Sequence, residues 1–215
     1  MNKDEIVKRI LSSIILIPTV LFFIIKGSFL FNFFIFICFL ITTYEWLKLS
    51  KNNLLKFFGT IFIVISFYAI FKIRNEFDKD YFHLLLVVII CASTDIGGYL
   101  FGNIFKGPKL TKISPKKTYS GVIGSFLLSL IFTNLFLDFL SNVETFEFTK
   151  EMFLFILLVS FISQIGDIIV SYFKRKSKIK DTGTIIPGHG GILDRIDGMI
   201  FALPFSYVFF LNFNF

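Results

Sequence analysis

The chain has 215 residues, of which 55% are hydrophobic and 33 are Phe, and it carries a net charge of +7. That much apolar surface is more than a soluble core of this size can bury, so an ordinary globular domain is excluded. The composition calls for lipid around most of the chain.

Taken in order, about seven apolar stretches reach the length needed to cross a bilayer: 10–26, 29–46, 57–73, 82–104, 121–140, 151–173 and 196–214. The first has no small-residue cleavage site and runs straight into the second, which predicts a retained helix rather than a signal peptide. The expected fold is all-α, a polytopic helical membrane protein with about seven transmembrane helices. The connections are too short to house another domain, so residues 1–215 are expected to form a single integral-membrane domain. Within it, 1–80 reads as N-terminal scaffold helices without chemistry of their own, and 81–215 as catalytic helices and loops. Cys38 and Cys91 fall in separate stretches and read as buried thiols, and His83 as an interfacial residue.

The cations set an orientation. With a cytoplasmic N-terminus, segments 1–9, 45–56, 105–120 and 174–195 lie inside and hold 17 of the 22 Lys and Arg residues. The opposite loops keep Lys26, Lys72, Arg74, Lys79 and Lys150 beside acids such as Glu76, Glu144 and Glu147, as the positive-inside rule requires. Segment 45–56 reads as simple anchoring. The two richest loops, 105–120 and 174–195, interleave their lysines with Gly, Pro, Ser and Thr, and they share the cytoplasmic face.

Two carboxylates are read within the spans, Asp95 in CASTDIGGYLFG and Asp167 in SQIGDIIVSYF. An acid there costs about 2.5–3.5 kcal/mol on insertion scales, so it is paired, wetted or functional. Each precedes a basic loop by a few turns, which lets both face a cavity open to the cytoplasm. Gly97, Gly98, Gly102, Ser163 and Gly166 surround them, suiting close helix packing and leaving room for a substrate.

The chemistry concentrates between Ser171 and Asp197, in SYFKRKSKIKDTGTIIPGHGGILDRID. Lys174, Arg175, Lys176, Lys178 and Lys180 supply positive charge beside the membrane, Arg as a two-pronged phosphate donor and Lys as a point charge. Pro187-Gly188-His189-Gly190-Gly191 is a turn of little bulk leading to a helix expected near Ile192, a place suited to phosphate oxygens. Asp194 and Asp197 share one helical face and, with Asp167, can offer oxygen ligands to Mg²⁺. Cations, metal and a lipid phosphate already anionic near neutral pH suit nucleotidyl transfer without a Ser or Cys nucleophile.

This block resembles that of phosphatidate cytidylyltransferase, the CDP-diacylglycerol synthase family of bacterial membranes. Ser171, Lys174-Arg175, Lys180-Asp181, His189-Gly190-Gly191 and Asp194-Arg195-x-Asp197 meet each element of the family's C-terminal motif without an insertion. A second block, Asp95-x-Gly97-x-Tyr99-x-x-Gly102 continuing to Ser114-Pro115-Lys116-Lys117-Thr118 and Gly121, is also similar to the family. The resemblance implies that CTP and phosphatidic acid give CDP-diacylglycerol and pyrophosphate, with Mg²⁺ required and room for a second cation. It makes Asp167 and Asp194 the leading metal ligands, with Asp197 a supporting ligand or an orienting partner of Arg195. Lys174, Arg175 and Lys180 would contact phosphates. His189 would either bind the triphosphate or pyrophosphate or stabilise its turn. Ser114, Lys116, Lys117 and Thr118 look like a second phosphate loop and Asp95 like a polar wall, and Ser171, Asp181, Gly190, Gly191 and Arg195 complete the implied substrate site. Ser120 departs from the family, which often carries an acid there, and the N-terminal half is short. The implied partners are CTP, phosphatidic acid, membrane lipids and a second copy of the chain, with no nucleic acid. The implied location is the cytoplasmic (inner) membrane, with the active site facing the cytoplasm.

Two rivals remain at this level. A CTP-dependent polyprenol or dolichol kinase-like enzyme would release CDP rather than pyrophosphate. A transporter would use Asp95 and Asp167 as coupling sites, but the stretches show no repeat of broken helices in two halves.

Overall fold

The computed structural model describes residues 3–50, 52–77, 81–111, 114, 117–141 and 148–212. Lys116, Glu144 and Glu147 lie outside the described residues. Six helices among them are long and apolar enough to cross a membrane. They are α1 (Lys3–Lys26), α2 (Ser28–Leu49), α3 (Asn53–Lys72, continued by a π turn to Phe77), α4 (Phe82–Ile104), α5 (Tyr119–Ser141) and α6 (Lys150–Lys176). The last apolar stretch is broken into a single turn, α7 (Leu193–Ile196), and α8 (Met199–Asn212). At 14 residues α8 is about 21 Å long, short of a hydrocarbon core of about 30 Å. The expected seventh span is therefore shorter than its apolar run suggests, because Asp197 is given to the cavity and Gly198 to close packing against Ser163, and neither to the helix.

Local chemistry ends and starts the helices. Gly27 sits at φ 62 between α1 and α2, a left-handed position that favours glycine. Arg74 packs on it and donates from Nε to the Ile24 carbonyl at 2.8 Å, so a cation satisfies the last carbonyls of α1. Asn52 caps α3 by accepting from the Leu54 N–H, and Thr149 caps α6 by accepting from the Met152 N–H. Lys174, Arg175 and Lys176, placed by sequence at the start of a loop, form the last turn of α6, where their charge meets the negative end of the helix.

The apolar side chains are arranged for lipid. Ile15, Phe29, Leu54, Ile104, Phe139 and Phe161 are exposed, while Phe31, Leu86, Val87, Ile90, Phe155, Ile156 and Val159 fill the centre. Helices α4 and α5 approach closely through small residues. A Cβ on Gly97 would stand 2.3 Å from the Gly124 carbonyl oxygen, whereas one on Gly98 would meet the Ser125 hydroxyl at 2.9 Å. Gly97→Ala is therefore expected to cost about 1–3 kcal/mol, by thermal unfolding in detergent, and Gly98→Ala less. Polar ties cross the same region, Ser125 donating to the Thr94 carbonyl at 2.7 Å and Thr94 meeting Ser160 at 2.8 Å.

At one end of the bundle the two basic loops come together. The described ends of the first loop, 105–111 and 117–118, are tied together by the Leu110 N–H donating to the Lys117 carbonyl and the Tyr119 N–H donating to the Pro108 carbonyl. Opposite it, residues 177–192 form a strap that runs from α6 across the end of α2 to α7.

Candidate active site

The face of α6 carrying Gln164, Asp167, Ser171 and Lys174 repeats at helical spacing, so these polar groups share one stripe. Gln164, Asp167 and Lys174 form one wall of a cavity of about 360 Å³, and Ser171 joins it through its hydrogen bond to Asp167. Thr94, Asp95, Gly98 and Tyr99 of α4 and Gly121, Val122 and Ser125 of α5 form another. Ser114, Lys117 and Thr118 close it from the first basic loop, and Asp181, Asp194, Arg195 and Asp197 from the strap and α7. Residues far apart in sequence, from both motif blocks, thus meet around one space.

Ion pairs bind the walls to one another. Lys117 reaches Asp167 at 2.6 Å and the Gln164 carbonyl at 3.3 Å, joining the first loop to α6. Lys174, only 8% exposed, lies 3.0 Å from Asp194 and 3.4 Å from Asp197. Ser171 donates to the other oxygen of Asp167 at 3.1 Å. Asp95 lines the cavity with no ion-pair partner among the described residues.

Asp194 is the most heavily held of the acids. Its Oδ2 accepts the Thr182 N–H at 2.7 Å, the Gly191 N–H at 2.9 Å and the Thr182 hydroxyl at 3.0 Å, while Oδ1 takes Lys174. Burial pushes its carboxyl up, but the Gly191 and Thr182 amides and the Lys174 ammonium outweigh that and hold it below the usual carboxylate range.

Several expected phosphate contacts sit elsewhere. Arg175 is exposed and lies 3.4 Å from the Ile179 carbonyl, and Lys180 is exposed on the strap. Neither lines the cavity. His189 turns to α1, with Nδ1 2.6 Å from the Ser12 hydroxyl and Nε2 3.5 Å from Ser13, while Arg9 donates to the Gly188 carbonyl. Burial and the nearby Arg195 and Arg9 charges lower the His189 pKa, favouring a neutral ring. Gly190, at φ 89, lets the backbone pass close to Asp194, since a Cβ there would stand 2.5 Å from Oδ2. A Cβ on Gly191 would stand 2.4 Å from the carboxylate of Glu45.

Sequence reasoning missed Glu45, Thr182 and Gln164. The 29–46 stretch contains Glu45, so Asp95 and Asp167 are not the only acids within the spans. Its carboxylate, 2% exposed in α2, accepts the Ile192 N–H at 3.1 Å and the Leu193 N–H at 2.8 Å. The available signal was an acid inside an apolar run, masked by the neighbouring Lys48 and the helix end.

Five Asp and three cations (Lys117, Lys174 and Arg195) line the cavity, an excess of negative charge that suits a divalent cation. Among the described residues no three acid, His or Cys side chains form a ready cage. Mg²⁺ fits such a site through one or two carboxylates completed by substrate phosphates and water.

A polytopic helical bundle whose interfacial cavity gathers acids, lysines and hydroxyls defines a membrane-embedded, phosphate-handling protein. The chain belongs to the cytidylyltransferase family, whose model matches residues 51–213. It is 35% identical to the phosphatidate cytidylyltransferase of Rickettsia felis over 98% of this chain and 94% of that one. It is 39% identical to the Haemophilus influenzae phosphatidate cytidylyltransferase over 75% and 59%, and 37% identical to the Staphylococcus aureus one over 66% and 53%.

Proposed function

We propose that the chain transfers the cytidylyl group of CTP to phosphatidic acid, giving CDP-diacylglycerol and pyrophosphate. The observation that carries this reading is the convergence of both motif blocks on one cavity at the end of the bundle, in a member of the cytidylyltransferase family. An oxygen of the lipid phosphate attacks the α-phosphorus of CTP. The bond from that phosphorus to the pyrophosphate oxygen breaks, and its electron pair leaves with pyrophosphate. Lys117, Lys174 and Arg195 hold and neutralise the phosphates, and Ser114 and Thr118 offer hydroxyl donors. Arg175 and Lys180, exposed outside the cavity, draw the anionic nucleotide toward it.

Mg²⁺, when bound, supplies Lewis-acid polarisation and charge neutralisation at the phosphates. Asp167 and Asp197 would hold it, each now engaging one uncharged donor and one lysine that a cation can replace. Asp194 is the third candidate ligand, though its oxygens are already committed to fixing Lys174 and the strap. The basic end of the bundle faces the cytoplasm, from which CTP enters. Phosphatidic acid enters from the side of the bundle at Tyr99, which is both exposed and part of the cavity wall. The inner membrane location and a homodimer belong to the same reading.

Turnover of radiolabelled CTP with phosphatidic acid in detergent micelles, with and without Mg²⁺, tests this for wild type and Asp194→Ala. The expected result is Mg²⁺-dependent CDP-diacylglycerol and pyrophosphate, lost in the variant. Release of CDP with a phosphorylated lipid would replace transfer of the nucleotide by transfer of the γ-phosphate. No lipid product from folded wild type would overturn the reading.

A further inference from the structure

Glu45 belongs to a helix with no other part in the cavity, yet it is bound to the strap that closes it. Its carboxylate meets no cation among the described residues. It accepts instead from Ile192 N–H and Leu193 N–H, and the Thr182 hydroxyl lies 3.2 Å from its Oε2. A buried carboxylate is costly unless such donors compensate it. The strap is shaped for this contact, because Gly183 and Gly191 bring their backbones so close that a Cβ on either would stand within 2.6 Å of the carboxylate. Helix α2 holds Glu45 still: Trp46 stacks edge-on against Phe173 of α6 with centroids 5.2 Å apart, and Ser177 donates to the Leu49 carbonyl at 2.6 Å.

The contacts continue into the site. The Thr182 hydroxyl lies within reach of Glu45 and Asp194 and donates its one proton to either, while its N–H donates to Asp194. Gly191, packed on Glu45, donates its N–H to the same Asp194 oxygen. Asp194 in turn holds Lys174, which reaches Asp197. A continuous hydrogen-bonded path therefore runs from α2 to the ammonium in the cavity.

We propose that Glu45 is a positioning residue for cytidylyl transfer. By fixing Thr182, Ile192 and Leu193 it sets the place of Asp194, and through Asp194 the place of Lys174. This rests on the reading of the cavity given above.

The test uses the full chain purified in detergent. Glu45→Gln preserves volume but turns one accepting oxygen into an NH₂ donor, so it cannot receive both backbone N–H groups. Outer-shell partners of this kind typically carry about 10–100-fold in activity, and a fall of that size in kcat is expected with KM for both substrates unchanged. Hydrogen exchange should quicken in peptide 181–193 while the spanning helices stay protected. Thr182→Val should lose kcat similarly, and the double variant should be no worse than the weaker single one, because both act on one path. Wild-type kcat in Glu45→Gln would overturn the proposal. So would a loss matched by the unfolded fraction, with wild-type turnover per folded molecule. If wild type itself makes no CDP-diacylglycerol, the reaction reading fails. Exchange at 181–193 then decides the positioning alone, and unchanged protection in Glu45→Gln overturns it.

Discussion

Replacing Lys174 with methionine should abolish turnover and cost the folded chain about 3–5 kcal/mol, the usual loss when one partner of a buried ion pair is removed. The size follows from position. An exposed pair contributes only about 0–1 kcal/mol, because water replaces the lost partner. Lys174 is 8% exposed and lies between Asp194 and Asp197, so its removal leaves two hidden carboxylates without their cation. Methionine keeps much of the apolar stem, which separates loss of charge from loss of packing. Thermal unfolding in detergent measures the loss of stability, and CTP turnover per folded molecule the loss of activity. Added Mg²⁺ should raise the melting temperature of the variant more than that of wild type, since the freed carboxylates gain a replacement cation. A variant as stable as wild type would show that Asp194 and Asp197 find other partners.

The bundle was legible because its signals are local. Apolar runs of spanning length, an asymmetric distribution of lysine and acids in lipid-facing sequence each need only neighbouring residues to be read. Asp167, Ser171 and Lys174 could be placed on one stripe by helical spacing alone. The bounds of the last helix could not, since α8 shares its apolar run with Asp197, which lines the cavity, and Gly198, which packs against Ser163. His189 was ambiguous for a different reason. An imidazole in a glycine turn suits a phosphate or a neighbouring helix equally well, and the serines that meet it lie 176–177 positions away. Glycines raised the same problem: Gly190 and Gly191 suggested backbone approach to a phosphate, whereas the folded strap brings them to Asp194 and Glu45. Glu45 escaped because its partners lie 137–148 positions along the chain and because Lys48 made it look like part of an anchoring segment.

Asp167→Asn should behave in the opposite way to Lys174→Met, leaving the fold nearly intact while removing most of the activity. Its carboxylate and the Lys117 ammonium are about a quarter exposed, so their pair contributes about 0–1 kcal/mol and little stability is at stake. The asparagine can still accept from Ser171 at the position of Oδ1. What it cannot do is carry the negative charge that holds Lys117 against α6 and offers a place to a divalent cation. Removing one such preorganised charge typically costs about 10²–10³ in kcat, and a fall of that order is expected with an unchanged melting temperature. The Mg²⁺ concentration giving half-maximal rate should also rise, which a purely structural role for Asp167 would not produce. Asp167→Glu, retaining charge on a longer arm, should recover part of the rate. If Asp167→Asn turns over like wild type at the same Mg²⁺ concentration, the cation belongs with Asp194 and Asp197.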